Sequence, residues 1–164
     1  MLKKIFLLLF IFTIIPVSSQ LINSYKNITE KHVKISGSKI ALIPPNNFSQ
    51  SKDFSGFQHE NKNNSKIFLT AIPESLSNTY SGLNARNLVE SGLKTVLKKE
   101  VIVNDLKGYL YNLEQKVSEL TFSKTILIFG NTSKTTMITG INLKDSPETS
   151  KSIKESILSV FVKN

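Results

Sequence analysis

The chain lacks cysteine and tryptophan, and it contains a single arginine, Arg86. The absence of cysteine excludes disulfides, thiolate zinc sites, iron–sulfur clusters and cysteine nucleophiles within this sequence. Imidazole is also scarce, because His32 and His59 are the only histidines. A Ser-His-Asp triad or a histidine metal site would have to include one of these two. We therefore expect stability to come from a packed core, with no cofactor and no resident metal.

The charge of the chain is supplied almost entirely by lysine. The 164 residues, 40% of them hydrophobic, indicate one globular domain, and 21 basic against 12 acidic side chains give a formal net charge of +9. Lysine lacks the planar fork with which arginine recognises phosphates and guanine edges. We therefore expect a solvated lysine surface, a monomer and no nucleic-acid partner.

Residues 1–19 have the pattern of a secretory signal peptide. Lys3 and Lys4 precede the apolar run 5–17, and the small residues Ser18 and Ser19 follow it. This run is shorter than the about 20 apolar residues of a transmembrane helix. We expect cleavage after Ser19, export to the periplasm or the medium, and no transmembrane segment afterwards. Because no cysteine follows the run, the sequence does not predict a lipoprotein.

The first part of the mature chain is predicted to be an arm followed by strands. Residues 20–37 are interpreted as an N-terminal arm or a short strand, and residues 38–164 as one α/β domain. The apolar runs Ser38–Pro45 and Lys66–Pro73 end in proline, which cannot donate a ladder hydrogen bond, so each predicts a strand. Phe54–Phe57 predicts a further strand that forms a hairpin with Lys66–Pro73.

A helix is predicted between Asn84 and Lys99, where apolar residues recur at steps of three and four. Asn84 is suited to cap its start. Gly92, inside this stretch, is interpreted as a point where the helix approaches the sheet closely. Residues 75–82 are interpreted as a connector.

The second half of the chain predicts an antiparallel sheet and a closing helix. After Glu100 the pattern changes to four strands separated by turn residues. Thr125–Phe129 is apolar on both faces, which predicts a central strand covered on both sides. Asp145–Glu148 has the proline and the acidic residue typical of a helix start, and we expect that helix to continue to Phe161. The predicted fold class is α/β (α+β), an antiparallel sheet sandwiched with helices.

Histidine meets carboxylates in one stretch, where His59 and Glu60 follow Asp53. Adjacent side chains on a strand point to opposite faces, so His59 and Glu60 could hold one metal ion only at a bend. A surface pair at the end of a hairpin is the interpretation we favour, and no catalytic residue or metal ligand is predicted. A small hydrolase or metal-dependent enzyme that uses His59 with Asp53 or Glu60 is kept as an alternative.

Aromatic and lysine side chains supply the remaining candidate binding sites. Tyr109 and Tyr111 are two residues apart and share one face of a strand, as Phe54 and Phe57 roughly do on theirs. Two interpretations are kept for these four residues. They either line a ligand pocket or, as is commoner for such aromatic residues, pack across strands under a helix. The second candidate binding site is a surface basic patch near the end of the predicted helix, formed by Lys94, Lys98 and Lys99.

The order of elements and several strings resemble the PsbP-like superfamily over residues 35–161. The strings are SKIALIPPNNF, FSGF, KIFLTAIP, TILIFGNTSKTTMITGINL and SIKESILSVF. This fold is shared by extrinsic proteins of the photosynthetic oxygen-evolving complex, a Ran-binding nuclear import factor and DcrB-like bacterial proteins. The resemblance implies a sheet between helical layers, as in small exported bacterial members of unknown function. It carries over no catalytic, metal or partner-binding residue, because the matching strings are packing patterns.

Together these observations favour an exported, non-enzymatic binding or assembly accessory protein. Its partner is expected to be an envelope or extracellular protein or a small apolar ligand, met by exposed strand edges or an aromatic face. Two alternatives are kept: the enzyme that uses His59, and attachment to an anionic envelope surface through lysines.

Export predicts a shortened protein. Removal of the first 19 residues takes away Lys3 and Lys4 and leaves 145 residues with a net charge of +7. We expect the intact mass of the exported protein to correspond to a chain that begins at Gln20. A full-length mass recovered from the membrane fraction would show that residues 1–19 are retained.

Overall fold

The computed structural model describes residues 22–23, 27–62 and 64–163, so the predicted signal peptide, residues 1–19, lies outside the described residues. The described residues form the strands β1 (Ile22–Asn23), β2 (Val33–Lys34), β3 (Ile40–Leu42), β4 (Phe48–Gln50), β5 (Gly56–His59), β6 (Lys66–Ile72), β7 (Leu93–Val103), β8 (Leu106–Val117), β9 (Leu120–Gly130), β10 (Thr135–Leu143) and β11 (Phe161–Val162). They also form the helices α1 (Leu76–Gly82), α2 (Ala85–Glu90) and α3 (Pro147–Leu158).

Most strands belong to one eight-stranded sheet with the order β1-β7-β8-β9-β10-β6-β5-β4. Neighbouring strands in this sheet are antiparallel, except that β1 is parallel to β7. A small sheet with the order β11-β3-β2 is antiparallel throughout. The predicted α+β fold with an antiparallel sheet is therefore confirmed.

The large sheet is covered on both faces. On one face, here called the α3 face, Leu110 and Leu127 pack with residues of helix α3 and the small sheet. On the opposite face, the α1–α2 face, Tyr111 and Ile128 pack with residues of helices α1 and α2. Burying one large aliphatic side chain contributes about 1.5–3 kcal/mol, so both covering layers stabilise the sheet.

The central position of Thr125–Phe129 is confirmed. Every side chain in this segment of β9 is at most 9% exposed. Alternation along the strand directs Leu127 and Phe129 to the α3 face and Ile126 and Ile128 to the α1–α2 face. A strand that is apolar on both faces requires cover on both faces, and three helices and the small sheet supply it.

Helix α3 begins at Pro147, as the sequence predicts, and it lies directly on β10. Ile153 and Ile157 are buried over Gly140, where an added Cβ would overlap Ile153 Cγ2 and lie 2.9 Å from Ile157 Cδ1. The missing side chain of Gly140 therefore sets how closely the helix approaches the sheet.

Among the described residues, no helix has the length and apolar character needed to span a membrane.

The predicted helix from Asn84 to Lys99 is wrong over most of its length. Asn84 does cap a helix, because its Oδ1 accepts the Asn87 N–H at 3.0 Å, but α2 ends at Glu90. Gly92 has a φ of 70° and open space beyond its Cα, so it is the turn between α2 and β7 rather than a close contact.

The helical spacing in β7 is produced by a β-bulge. The pairing of β7 with β8 shifts register between Thr95 and Leu97, so the apolar residues do not follow strict alternation. Val96 stands at the bulge and is 59% exposed, although the helical pattern places it in the core. In this irregular strand the apolar residues are therefore spaced three and four positions apart, which is the spacing typical of a helix.

Two further predictions of secondary structure are wrong. Residues 75–82, interpreted as a connector, contain helix α1, which begins where the Ser75 side chain accepts the Asn78 N–H at 3.2 Å. Phe161, expected on the closing helix, lies in β11 and pairs with Ala41 of β3. In both cases short segments gain their structure from packing that propensity does not encode.

The contact of α3 with β10 predicts the effect of one added methyl group. We expect Gly140→Ala to lower the free energy of unfolding by about 1–3 kcal/mol, because the new Cβ overlaps buried Ile153. Urea unfolding measures the loss. The control Gly82→Ala, where a Cβ meets nothing within 4 Å, is expected to leave stability unchanged or slightly higher. Equal stability of the two variants would contradict this account of the helix contact.

Candidate functional site

The residues with the densest aromatic and cationic contacts lie on the α1–α2 face near strand β7. We call them the tyrosine–lysine cluster: Tyr80, Lys98, Lys107, Tyr109 and Tyr111. Helix α1 supplies Tyr80, and β7 supplies Lys98, which is the cross-strand partner of Tyr111 in β8. Alternation along β8 places Tyr109 on the same face as Tyr111, as predicted.

The rings and ammonium groups of the cluster are stacked in sequence. Tyr80 stacks on Tyr109 with ring centroids 4.0 Å apart and an interplanar angle of 30°. Lys98 Nζ lies 4.2 Å from the Tyr80 ring centroid and 5.5 Å from that of Tyr111. These distances are those of cation–π contacts, so Lys98 is held over two aromatic rings.

A second lysine binds the other side of the stack. Lys107 Nζ lies 5.3 Å from the Tyr109 ring centroid and 3.3 Å from Glu100 Oε1. The pKa of Lys107 is raised above its ordinary value, first by a hydrogen bond with Tyr109 and then by one with Glu100. Lys107 therefore remains protonated at neutral pH, and its charge is paired with that of Glu100.

Tyr111 is the buried floor of the cluster. Its side chain is 1% exposed, and among the described residues its hydroxyl has no hydrogen-bond partner. Burial raises the pKa of this hydroxyl well above the ordinary value of 10.0. Tyr111 thus contributes a ring face to Lys98 while its polar atom remains unpaired.

The three lysines predicted as a basic patch all lie on β7, and the sheet divides them. Lys98 is directed to the α1–α2 face. Lys94 and Lys99 pair across strands with Glu114 and Leu110, which places them on the α3 face. Strand β7 therefore carries lysine on both of its faces.

The predicted pair of phenylalanines is not brought together on one face. Phe57 is buried on the α3 face, where it belongs to the main core. Phe54 precedes β5, and its ring meets the Phe68 ring edge-on at 6.4 Å with Lys66 Nζ at 5.7 Å. Because the two residues are three apart rather than two, they take separate environments.

The residues of the enzymatic alternative border one shallow depression of about 280 Å³. His59, Glu60 and Asp53 all line it. The Nδ1 of His59 accepts the Asn61 N–H at 3.1 Å, and its ring packs edge-on against Phe48. In the described part of the chain, no three His, Asp or Glu side chains are grouped so that they could hold a metal ion.

The sequence did not predict Tyr80 and Lys107 as members of a site, and it predicted residues 75–82 to be a connector. For Tyr80 a signal was present. Leu76, Tyr80 and Leu83 follow steps of four and three after the capping residue Ser75, and all three pack on the α1–α2 face. This spacing is typical of one face of a helix.

The comparisons with known proteins concern the fold. No protein-family model matches the chain, and no curated protein matches its sequence. The structure is similar to that of cyanobacterial PsbP (CyanoP) from Synechocystis sp. PCC 6803, with a TM-score of 0.55 and 12% identity over 80% of this chain and 91% of that one.

Two further solved structures are similar. A Bacteroides thetaiotaomicron VPI-5482 protein aligns with a TM-score of 0.53 and 9% identity over 84% of this chain, which spans 50% of that protein. A protein of unknown function from Pseudomonas aeruginosa aligns at a TM-score of 0.44 and 9% identity over 68% of this chain and 93% of that one. The similarity to CyanoP shows that the chain has a PsbP-like fold, as the resemblance of its sequence implied.

The unpaired hydroxyl of Tyr111 predicts the behaviour of a conservative variant. We expect Tyr111→Phe to leave the free energy of unfolding unchanged or to raise it by about 1 kcal/mol, because burying an unpaired hydroxyl is unfavourable. The measurement is urea unfolding at neutral pH, with Tyr109→Phe as the control. A clear loss of stability in Tyr111→Phe would show that the hydroxyl has a partner.

The raised pKa of Tyr111 also has a consequence for pH dependence. The unfolded chain releases the phenolic proton near pH 10.0, whereas the folded chain retains it to higher pH. Ionisation then favours the unfolded state, so stability falls as pH rises above 10.0. Tyr111→Phe is expected to remove this part of the alkaline decline, and an unchanged decline would contradict the assignment.

Proposed function

We propose that the protein is an exported accessory protein that acts by binding and without catalysis. Its proposed partner is an extended acidic segment of an envelope or extracellular protein, which pairs along the free edge of β7. One observation carries this proposal: the outer side of β7 from Leu93 to Glu100 lacks a paired strand among the described residues, and this stretch carries Lys94, Lys98 and Lys99. Export rests on the signal-peptide pattern of residues 1–19.

The backbone of this edge is suited to strand addition. In the part of the chain that the structure describes, strand β1 pairs with β7 at Val101 and Ile102. The remaining outer N–H and C=O groups can form ladder hydrogen bonds with an incoming strand. These hydrogen bonds would supply affinity, and the side chains beside them would supply specificity.

The lysines favour an acidic segment. A strand paired with β7 would place its side chains about 4.5–5.5 Å from the β7 side chains on the same face. Lys98 and Lys99 point to opposite faces, so two adjacent acidic residues of the partner could each meet one lysine. Lys94 could meet a further acidic residue on the face shared with Lys99.

The same side chains disfavour pairing with a second copy of the chain. Two lysine edges would repel each other, and the bulge at Val96 interrupts the regular ladder. Charged residues and bulges are the usual protection of exposed edges against indiscriminate pairing. This argument supports a monomer that accepts a partner of opposite charge.

A small apolar ligand at the tyrosines is the less favoured partner. The Tyr80 and Tyr109 rings stack on each other, and Lys98 lies over the Tyr80 ring. An apolar molecule would have to replace these contacts and would leave the ammonium group without its aromatic partners. The cluster is better suited to hold Lys98 in place for a carboxylate.

The proposal is tested with an extended threonine–valine peptide that carries an adjacent pair of glutamates and a further glutamate. We expect saturable shifts of the backbone amide resonances of residues 93–100. Because the edge charges contribute through partly exposed ion pairs, the triple variant Lys94→Gln, Lys98→Gln, Lys99→Gln is expected to bind about tenfold more weakly.

The matched control carries the same loss of charge at exposed lysines away from β7: Lys31→Gln, Lys62→Gln and Lys163→Gln. We expect it to bind the peptide like the unaltered chain. Equal binding of a glutamine version of the peptide, or shifts that avoid β7, would overturn the proposal. Binding to anionic vesicles but not to the peptide would favour the alternative of attachment to an envelope surface.

A further inference from the structure

A cleft of about 330 Å³ opens between helix α3 and the strands β7, β8 and β9. It is lined by polar residues of the sheet, by Val96 of β7 and by Ser150, Lys151 and Lys154 of α3. Its volume lies within the range of small-molecule sites, which starts at about 300 Å³. The tyrosine–lysine cluster lies on the opposite face of the sheet, so the two features are separate.

The floor of the cleft is polar where the rest of the α3 face is apolar. Leu110 and Leu127 are fully buried on that face, but the next inward positions along β8 and β9 are Asn112 and Thr125. Ser123 and Glu114 follow as the next cross-strand pair on the same face. Alternation therefore continues with hydrogen-bonding groups in place of core side chains.

These polar groups are only partly engaged with one another. The Thr125 hydroxyl lies 3.5 Å from Asn112 Oδ1, which is too long for a strong hydrogen bond. Both residues line the cleft, and the side chain of Thr125 is 9% exposed. They can therefore donate to and accept from a molecule in the cleft.

The wall of the cleft is held in place by a buried amide. Asn142 is 2% exposed, and its Nδ2 donates to Leu143 O at 2.7 Å and to Ser150 Oγ at 2.8 Å. This arrangement ties the first turn of α3 to the end of β10. The residues that face the cleft from α3 are thus positioned by the fold rather than by a flexible loop.

The charge of the cleft is positive. Lys151 and Lys154 are three residues apart on α3, and both line the cleft. Glu114 is the acidic lining residue, and its Oε1 pairs with Lys144 Nζ at 2.8 Å. After that pair, the remaining lining lysines give the cleft an excess of positive charge.

We propose that this cleft binds a small organic anion that also carries hydroxyl groups, such as a sugar acid. Lys151 and Lys154 would bind the anionic group. Asn112, Ser123 and Thr125 would exchange hydrogen bonds with the ligand hydroxyls. This site goes beyond the proposed pairing at β7 and does not depend on it.

The experiment titrates the full exported chain with glucuronate and follows backbone amide shifts by NMR. Glucose, which has the hydroxyls without the carboxylate, and acetate, which has the carboxylate alone, serve as comparison probes. We expect saturable shifts confined to residues 112–114, 123–125 and 150–154 with glucuronate, and markedly weaker binding of both comparison probes.

Two variants separate the contributions of charge and hydroxyl recognition. Lys151→Gln with Lys154→Gln is expected to weaken glucuronate binding about tenfold, whereas Lys31→Gln with Lys62→Gln, which removes the same charge elsewhere, leaves it unchanged. Thr125→Val keeps the side-chain volume and is expected to weaken glucuronate binding while leaving the weak binding of acetate unchanged.

Several results would overturn the proposal. Equal binding of acetate and glucuronate would show that the protein recognises only the carboxylate, and this outcome would reject recognition of the hydroxyls. Equal losses in the two double-lysine variants, or shifts outside the cleft, would reject the site. The peptide experiment on β7 reads a different set of amides, so failure of either idea is distinguishable from failure of the other.

Discussion

The fold depends on the burial of strand β9 on both of its faces. Thr125–Phe129 has no polar side to turn to water, so the sheet is stable only with cover above and below. Helix α3 and the small sheet cover one face, and α1 and α2 cover the other. Gly140 lets Ile153 approach β10 closely enough to complete the first of these layers.

Both candidate sites lie where this cover ends. The helices α1 and α2 are short and leave the margin of the α1–α2 face to the tyrosine–lysine cluster, where cation–π contacts replace core packing. On the α3 face, apolar positions give way to Asn112 and Thr125 beside the first turns of α3. Polar and charged groups can remain available for partners at such margins because burial there is incomplete.

The sequence predicted regular elements better than irregular ones. The strands β8, β9 and β10 pair with one another over many residues without a register shift, so their side chains alternate between the two faces without interruption and their sequence patterns were sufficient. The bulge in β7 broke that alternation and imitated a helix, while α1 was too short for its spacing to stand out. Tyr109, Tyr111 and Lys98 were named in advance, but their association with Tyr80 depends on a helix that the interpretation omitted.

By itself, the sequence determined the class of the protein: a cysteine-free, lysine-rich α+β domain with a doubly buried central strand and a PsbP-like order of elements. Local patterns carry this information because burial imposes a period on each element. Only the tertiary structure decided which side chains meet across elements. Strand register and helix docking bring Lys98 over the Tyr80 ring and place Lys154 in the cleft that Thr125 also lines, and both are set by contacts between residues distant in the chain.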